Sequence, residues 1–548
     1  MRCRIRPPAC FASNADQWQC DLEVPACTRC VRGNKHCSGY RDTSKLRIED
    51  ESHEVVRKAE RDWAAPRRPS RASSRPLVPS SKVTQFVFVH ETGFVSDTSP
   101  SCASSEQASP SSITPQLAVS RDELAVNFFI NSFVTPGHWN FMAELVSSAP
   151  SPDSSIMQIV KACGMANLSN RRPVPFGREW SRLQYASALH STNEALHSSD
   201  LVRKDETLVS VLLLSIFENL SCDSDDSMVS WKAHIDGATQ IMKLRGYASL
   251  KTKVGRSLFT DLRAQVVINS VWNYVPVPPF IREWTQRLQT EKDVDLTPAD
   301  TLSALTIDYA ELRAAIAAAA YSTLTLYRRV LDCELAFERW VSETKAHRDW
   351  YYETTQVGNN ANPDDFWQGR VHRYQSSESL GAWNLYRTFR IMLARTKEAL
   401  WKRVRLDEEQ VLFPGEDHRA VKKEMMDDIC VSTPCALGHV TYLDHSRSVI
   451  ARWLVWPLFF AGVCALEIMR ERSASDAIVL DLDYNTTSIL DEQFSWIVNR
   501  LRYVWKDLGI RWAAGVLGVL KSDMTVHADF HRCRYLLCYH GTSCRSQC

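Results

Sequence analysis

The sequence predicts a large all-α domain joined by a Ser/Pro-rich linker to a small metal-held module. Three observations predict this. From about residue 121 to 520, apolar residues recur three and four apart, the spacing of a helix face. Between Cys20 and Cys37, four cysteines fall within eighteen residues in the pattern C-x6-C-x2-C-x6-C. Between these regions, residues 63–120 are dominated by Ser and Pro, a composition that buries too little apolar surface to fold alone and is expected to be disordered.

Composition bounds the function classes. The chain has 548 residues, 44% hydrophobic and 24% charged, enough for a sizeable core and more than one structural unit. Its net charge of +1 hides a gradient. Residues 1–76 hold 16 Lys and Arg against 10 Asp and Glu, a local charge of +6, which leaves 49 against 54, or −5, for the rest. A basic head on a faintly acidic body suits a polyanion at one end. The opening MRCRIRPPAC lacks the apolar run of a secretory signal. WLVWPLFFAGVCAL, bracketed by Arg452 and Glu467 and containing Pro457, is too short a run to span a bilayer. It reads as a buried core helix, and no membrane partner is expected. The expected compartment is intracellular and reducing, where clustered cysteines bind metal more often than they form disulfides.

Taken in order, residues 1–62 form the cysteine-rich basic head, which ends in KLRIEDESHEVVRKAERDW, a charged helix candidate. Within the linker, PRRPSRASSR is a basic patch of the kind read by nuclear import, although a plain flexible tether explains it equally. Strand-like alternation is confined to short pieces such as KVTQFVFVH. The helical body, 121–520, opens with DELAVNFFINSF, acidic first and then periodic. TLVSVLLLSIFENL is apolar nearly all round and belongs inside a bundle. ELRAAIAAAAYSTLTLYRRVLDCELAF and SILDEQFSWIVNRLRYVWKDL continue the helical pattern. No repeat of fixed period is present. The tail, 521–548, carries His527, His531, Cys533, Cys538, His540, Cys544 and Cys548, but it has no C-x-x-C pair and reads as a tail of unknown order rather than a metal site.

The head carries the chemistry. A C-x-x-C pair, Cys27 and Cys30, lets two thiolates turn inward on one ion, and Cys20 and Cys37 complete a tetrahedral sulfur shell. Zinc suits four thiolates because soft sulfur selects it over hard cations. The bland alternative is four reduced cysteines on a surface loop.

These residues resemble the fungal binuclear zinc-cluster DNA-binding domain. CDLEVPACTRCVRGNKHCSGYRD is similar to the second two-thirds of that module, with Asp21, Pro25 and Gly39–Asp42 in the expected places. The resemblance implies that Cys20, Cys27, Cys30 and Cys37 are the third to sixth ligands of a two-zinc cluster, with Cys27 bridging both ions. The first third departs from the family pattern. Cys10 is in register for one ligand, but Ser13 stands where the other is expected. CRIR, Cys3 to Arg6, looks like the basic start that follows the second cysteine. In that case PPACFASNADQW is an insertion and the first ligand lies ahead of Met1. Cys3 and Cys10 are the thiols available to stand in. Zinc is therefore expected as two structural ions if the first half is intact and as one otherwise.

The resemblance also implies the partner, double-stranded DNA with CGG-type half-sites, and a homodimer as one assembly. Arg4 and Arg6 would sit on the helix that enters the major groove. Arg29, Arg32 and Lys35 would face phosphates and set affinity rather than sequence. For each of these side chains, a solvated surface charge is the competing reading. In the body, WKAHIDGATQIMKLRGYASLKTKVGRSLFTDLRAQ resembles the helical regulatory domain that accompanies these clusters, through H-I-x-G-A at His234–Ala238 and L-R-G at Leu244–Gly246. An amphipathic helix pair with a glycine stop accounts for the same residues.

No G-x-G-x-x-G, Walker loop, H-E-x-x-H or G-x-S-x-G occurs, so no enzyme is expected. The expectation is a nuclear transcription factor of the fungal zinc-cluster type acting on RNA polymerase II genes. Family members often serve a neighbouring biosynthetic gene cluster of secondary metabolism. The alternative is a helical interaction or ligand-sensing regulator that has lost specific DNA binding.

Overall fold

The computed structural model describes residues 120–134, 139–149, 151–222, 226–291, 295–358, 361–407, 418–440, 447–476 and 484–525. Within them the chain is almost wholly helical, as the sequence predicts. The head, most of the linker, KVTQFVFVH and the residues from 526 onward lie outside the described residues.

The first half is a bundle built around two buried helices. Helix α1 (Arg121–Phe133) starts with a capping box, in which Ser120 Oγ accepts from the Glu123 amide and the Ser120 amide donates to the Glu123 carboxylate. A short α2 (Met142–Ser147) leads to α3 (Ser155–Arg171), which packs against α1, α4 (Gly177–His197) and α5 (Asp205–Ser221). Every residue of α5 from Thr207 to Leu220 is buried, as TLVSVLLLSIFENL requires. Helix α6 (Asp226–Arg245) lies along α5 and stops at Gly246, whose φ of 76° favours glycine. A 3-10 turn, Tyr247–Lys251, leads into α7 (Lys253–Asn273), so the helix pair with a glycine stop is present.

From α7 the chain passes through α8 (Pro279–Thr290), α9 (Pro298–Ala317) and α10 (Thr323–Ala346). The run ELRAAIAAAAYSTLTLYRRVLDCELAF is thus two helices. Alanine is a good helix former, but α9 ends in a Schellman motif: the Ala320 amide donates to the Ala315 carbonyl and the Ala319 amide to that of Ile316. Ala319 takes the left-handed position at φ 47°, where glycine is usual, and Ser322 then caps α10.

Next comes a two-stranded antiparallel hairpin, β1 (Tyr352–Gln356) with β2 (Arg370–Tyr374), in which Thr354 pairs with His372. The strands of the described residues therefore lie in the body, not near the linker where alternation is expected. The hairpin covers α11 (Ser377–Asp407) and α12 (His418–Ala436). Helix α13 (Arg447–Asp476) contains Pro457 without ending there. Its segment Ala451–Glu471 is long and apolar enough to cross a membrane, but 72% of its most apolar window is buried in this fold. It is the core helix that WLVWPLFFAGVCAL suggests.

Helices α14 (Tyr484–Lys506) and α15 (Trp512–Thr525) complete the chain of packing, and α13 and α15 return to touch α1 and α5. The closure is specific. Asn167 Nδ2 donates to the Leu508 carbonyl, Asn170 Nδ2 to Gly509, and Arg171 Nε to Asp507. Gly509, at φ 73°, cannot carry a side chain there, because a Cβ would lie 2.7 Å from Asn167 Nδ2.

Candidate functional site

All of the sequence-predicted site residues, Cys3, Cys10, Cys20, Cys27, Cys30, Cys37, Arg4, Arg6, Arg29, Arg32 and Lys35, lie outside the described residues. The helical body is where geometry can speak, and its cysteines differ from those of the head. Cys163, Cys430, Cys435 and Cys464 are buried, and burial pushes each thiol up in pKa. A protonated, enclosed thiol behaves as a small apolar side chain rather than a ligand or nucleophile. Among the described residues, no group of three or more His, Cys, Asp and Glu is placed to hold a metal ion.

The two body elements singled out in the sequence both belong to the α5–α6 pair. On α6, His234, Ile235, Ala238, Thr239, Ile241 and Met242 share one buried face. His234 Nε2 lies 3.0 Å from the Tyr185 hydroxyl, which donates to Glu218 Oε1 at 2.5 Å. The hydroxyl has one proton, and Glu218 takes it. The network therefore assigns the imidazole proton to Nε2, and Nδ1 is left buried without a hydrogen-bond partner among the described residues. Burial holds the His234 pKa well below its ordinary value, so the ring is neutral. Phe217 stacks on Tyr185 with centroids 4.3 Å apart and leaves little freedom to the trio.

At the other end of the helix, Arg245 pairs with Asp205 in the first turn of α5, where a carboxylate also suits the helix dipole. Arg203 Nη1 donates to the Leu244 carbonyl at 2.6 Å. Both elements thus pin α6 to its neighbours. The trio is enclosed by packing while the pin lies at the edge of the bundle, and the role of both is to fix register.

A second polar centre lies under the hairpin, and sequence reasoning did not find it. Arg387 of α11 is fully buried. Its guanidinium donates to the Tyr374 hydroxyl at 2.6 Å, Asn384 Oδ1 at 3.1 Å, His372 Nδ1 at 3.2 Å and Asp428 Oδ2 at 3.3 Å. The Tyr352 ring lies 4.8 Å below the guanidinium carbon. Burial first, and then the Arg387 and Arg370 guanidiniums, push His372 down to about 2, so it is neutral and accepts at Nδ1. One arginine thereby ties β1, β2, α11 and α12 together. Nothing in the local sequence marks Arg387, because its partners lie up to 41 residues away.

With this geometry in place, comparison with known proteins is informative. Residues 127–331 match the family model described as "Fungal specific transcription factor domain". An uncharacterized protein of Emericella nidulans is 33% identical to this chain over 104 residues, which is 19% of this chain and 22% of that relative. The match therefore spans about a fifth of the relative's length. No solved structure matches the chain. The matched domain spans α5, α6 and the His234–Ala238 and Leu244–Gly246 elements. Together with the all-α architecture it supports a fungal regulator of transcription.

Proposed function

We propose that the protein is a sequence-reading transcription factor of the zinc-cluster type, in which the N-terminal module docks on duplex DNA and the helical body regulates it. The observation that carries this reading is one chain joining two features: a match to a fungal transcription factor domain over 127–331, and the cysteine pattern at Cys20, Cys27, Cys30 and Cys37. The donor set suits zinc, being four thiols that form a soft tetrahedral shell once deprotonated. Cys3 and Cys10 are the candidates to complete a second site. Zinc supplies no reaction; its binding free energy folds a module too small to fold on an apolar core. Arg29, Arg32 and Lys35 contact phosphates, and Arg4 and Arg6 read base edges in CGG-type half-sites. The nucleus is the site of action and RNA polymerase II genes are the targets, a biosynthetic gene cluster being one such set. A homodimer is the assembly that would read paired half-sites.

Metal analysis of the purified full chain tests this reading. One or two zinc ions per chain are expected, with four thiols shielded from alkylation until a chelator is added. Cys27→Ser should lose more zinc than Cys37→Ser, since Cys27 bridges. Well under one zinc per chain, with all of the head thiols freely alkylated, would sink the reading. A second reading, a helical regulator without specific DNA binding, is favoured by PPACFASNADQW, which separates Arg4 and Arg6 from Cys20. Restoring an upstream C-x-x-C and deleting that stretch should then sharpen discrimination among half-sites by ~1–3 kcal/mol, the worth of one bidentate base contact.

A further inference from the structure

An open cleft of about 800 Å³ lies between α8, α9 and α10, within the usual size of small-molecule sites. Its apolar lining is the part-exposed Leu305, Ala315 and Ala336, together with Leu312, Ala314 and Phe337, which are themselves buried. The alanine-rich end of α9 leaves this space open, since larger side chains on that face would fill it. The rim is charged. Arg282 of α8 reaches Asp308 at 2.7 Å and Glu311 at 2.8 Å, so one guanidinium serves two carboxylates. On α10, Asp332 has no hydrogen-bond or ion-pair partner among the described residues. Arg329, one turn earlier, lies over the Tyr321 ring at 4.3 Å. Three carboxylates thus face two guanidiniums around an apolar floor. Cys333, on the same wall, reports the field: burial and then the Asp308 and Asp332 charges push its thiol up to about 12 against the pull of Arg329.

We propose that this cleft binds a small amphipathic cation, an amine carried on an apolar body about the size of one aromatic ring with a short alkyl chain. The body covers the part-exposed Leu305, Ala315 and Ala336, and the ammonium sits at the rim by Asp332. Calling such a compound an effector rests on the transcription-regulator reading; the binding does not.

Isothermal titration of the full chain with 4-phenylbutylammonium, set against 4-phenylbutyrate, tests the proposal. The two probes share a body and differ in charge. Saturable one-to-one binding of the cation is expected, at least ten-fold tighter than that of the anion. Asp332→Asn should weaken the cation about three-fold and, by removing a like charge, tighten the anion. Ala315→Leu should fill the floor and abolish both, at unchanged helicity by circular dichroism. The proposal is overturned by anion binding as tight as cation binding, by no saturable binding, or by full binding to a folded Ala315→Leu variant. Because the titration contains no DNA, its failure leaves the zinc and DNA tests untouched.

Discussion

The α5–α6 pair and the α10–α13 layer solve the same packing problem with opposite chemistry. Around α5, fourteen consecutive residues are buried, and the polar centre, Tyr185–Glu218–His234, contains a neutral imidazole. In the second layer, cations themselves form the core. Arg387, Lys397 and Lys422 are at most 3% exposed. Lys397 pairs with Glu334, which also meets Arg390 at 3.5 Å. Lys422 meets Glu398 at 2.9 Å and Glu471 at 3.3 Å. Both regions rest on buried apolar area, but the second also encloses charges that tolerate no missing partner. Buried ion pairs add little over an apolar core of equal shape, yet breaking one is costly. The second layer should therefore be the more fragile to single substitutions and the more specific in register.

That contrast can be broken by substitution. The largest effect is expected for Arg387→Met, which takes the cation from Asp428 and a donor from each of Tyr374, Asn384 and His372; urea unfolding should show a loss of ~3–5 kcal/mol. Lys422→Met follows, losing ~1–3 kcal/mol: Glu398 keeps Lys402 and Glu471 keeps Arg419, but the buried cation that they share is gone. In the double variant Lys422→Met/Glu398→Gln the loss should be smaller than in the single one, and a simple sum of the two single losses would count against the paired-charge account. In the first region, Tyr185→Phe should cost ~1–3 kcal/mol, the range for removing one partner of a buried hydrogen bond.

Acid should act on both regions, through different groups. His234 and His372 are depressed in the fold, so the unfolded chain takes up protons there first, and stability falls as the pH drops below ~6.5. Burial pushes Glu398 up, but hydrogen bonds from Lys402 and Lys422 outweigh it and hold it down to about 2. Its contribution is complete above ~4.5 and is lost as the pH falls from there toward 2. A pH series of unfolding midpoints should therefore decline in two stages, the first reduced by His234→Phe and the second by Glu398→Gln. The smallest effect is expected at the helix break, where Ala319→Gly relieves a left-handed alanine and should add ~0.5–1 kcal/mol.

The same contrast explains what the sequence could show. Helix α5 was legible because every side chain obeys one rule, and the stop at Gly246 because glycine alone takes that φ without strain. The layer under the hairpin was not. Arg387, Lys397 and Lys422 read as solvent-facing by local pattern, and only the arrival of Glu334, Glu398 and Asp428 from other helices makes them core. The hairpin was missed for a related reason: YETTQ and RVHRY are polar, and they pair across a long connection. The break at Ala318–Ser322 was hidden by alanines whose propensity favours continuing the helix. For the cysteine cluster the position is reversed. Its spacing is legible in the sequence, while its geometry lies outside the described residues.

The account's central claim, a zinc-held head that grips DNA, is tested most directly by titrating the full chain onto duplexes bearing CGG half-sites across a salt series, before and after chelation. Zinc-loaded protein is predicted to bind with an affinity that falls steeply with salt. Three phosphate contacts from Arg29, Arg32 and Lys35 would give a log–log slope of roughly −3, and chelation should abolish binding. Binding that ignores both chelator and salt, or no binding by a zinc-loaded chain, would contradict it.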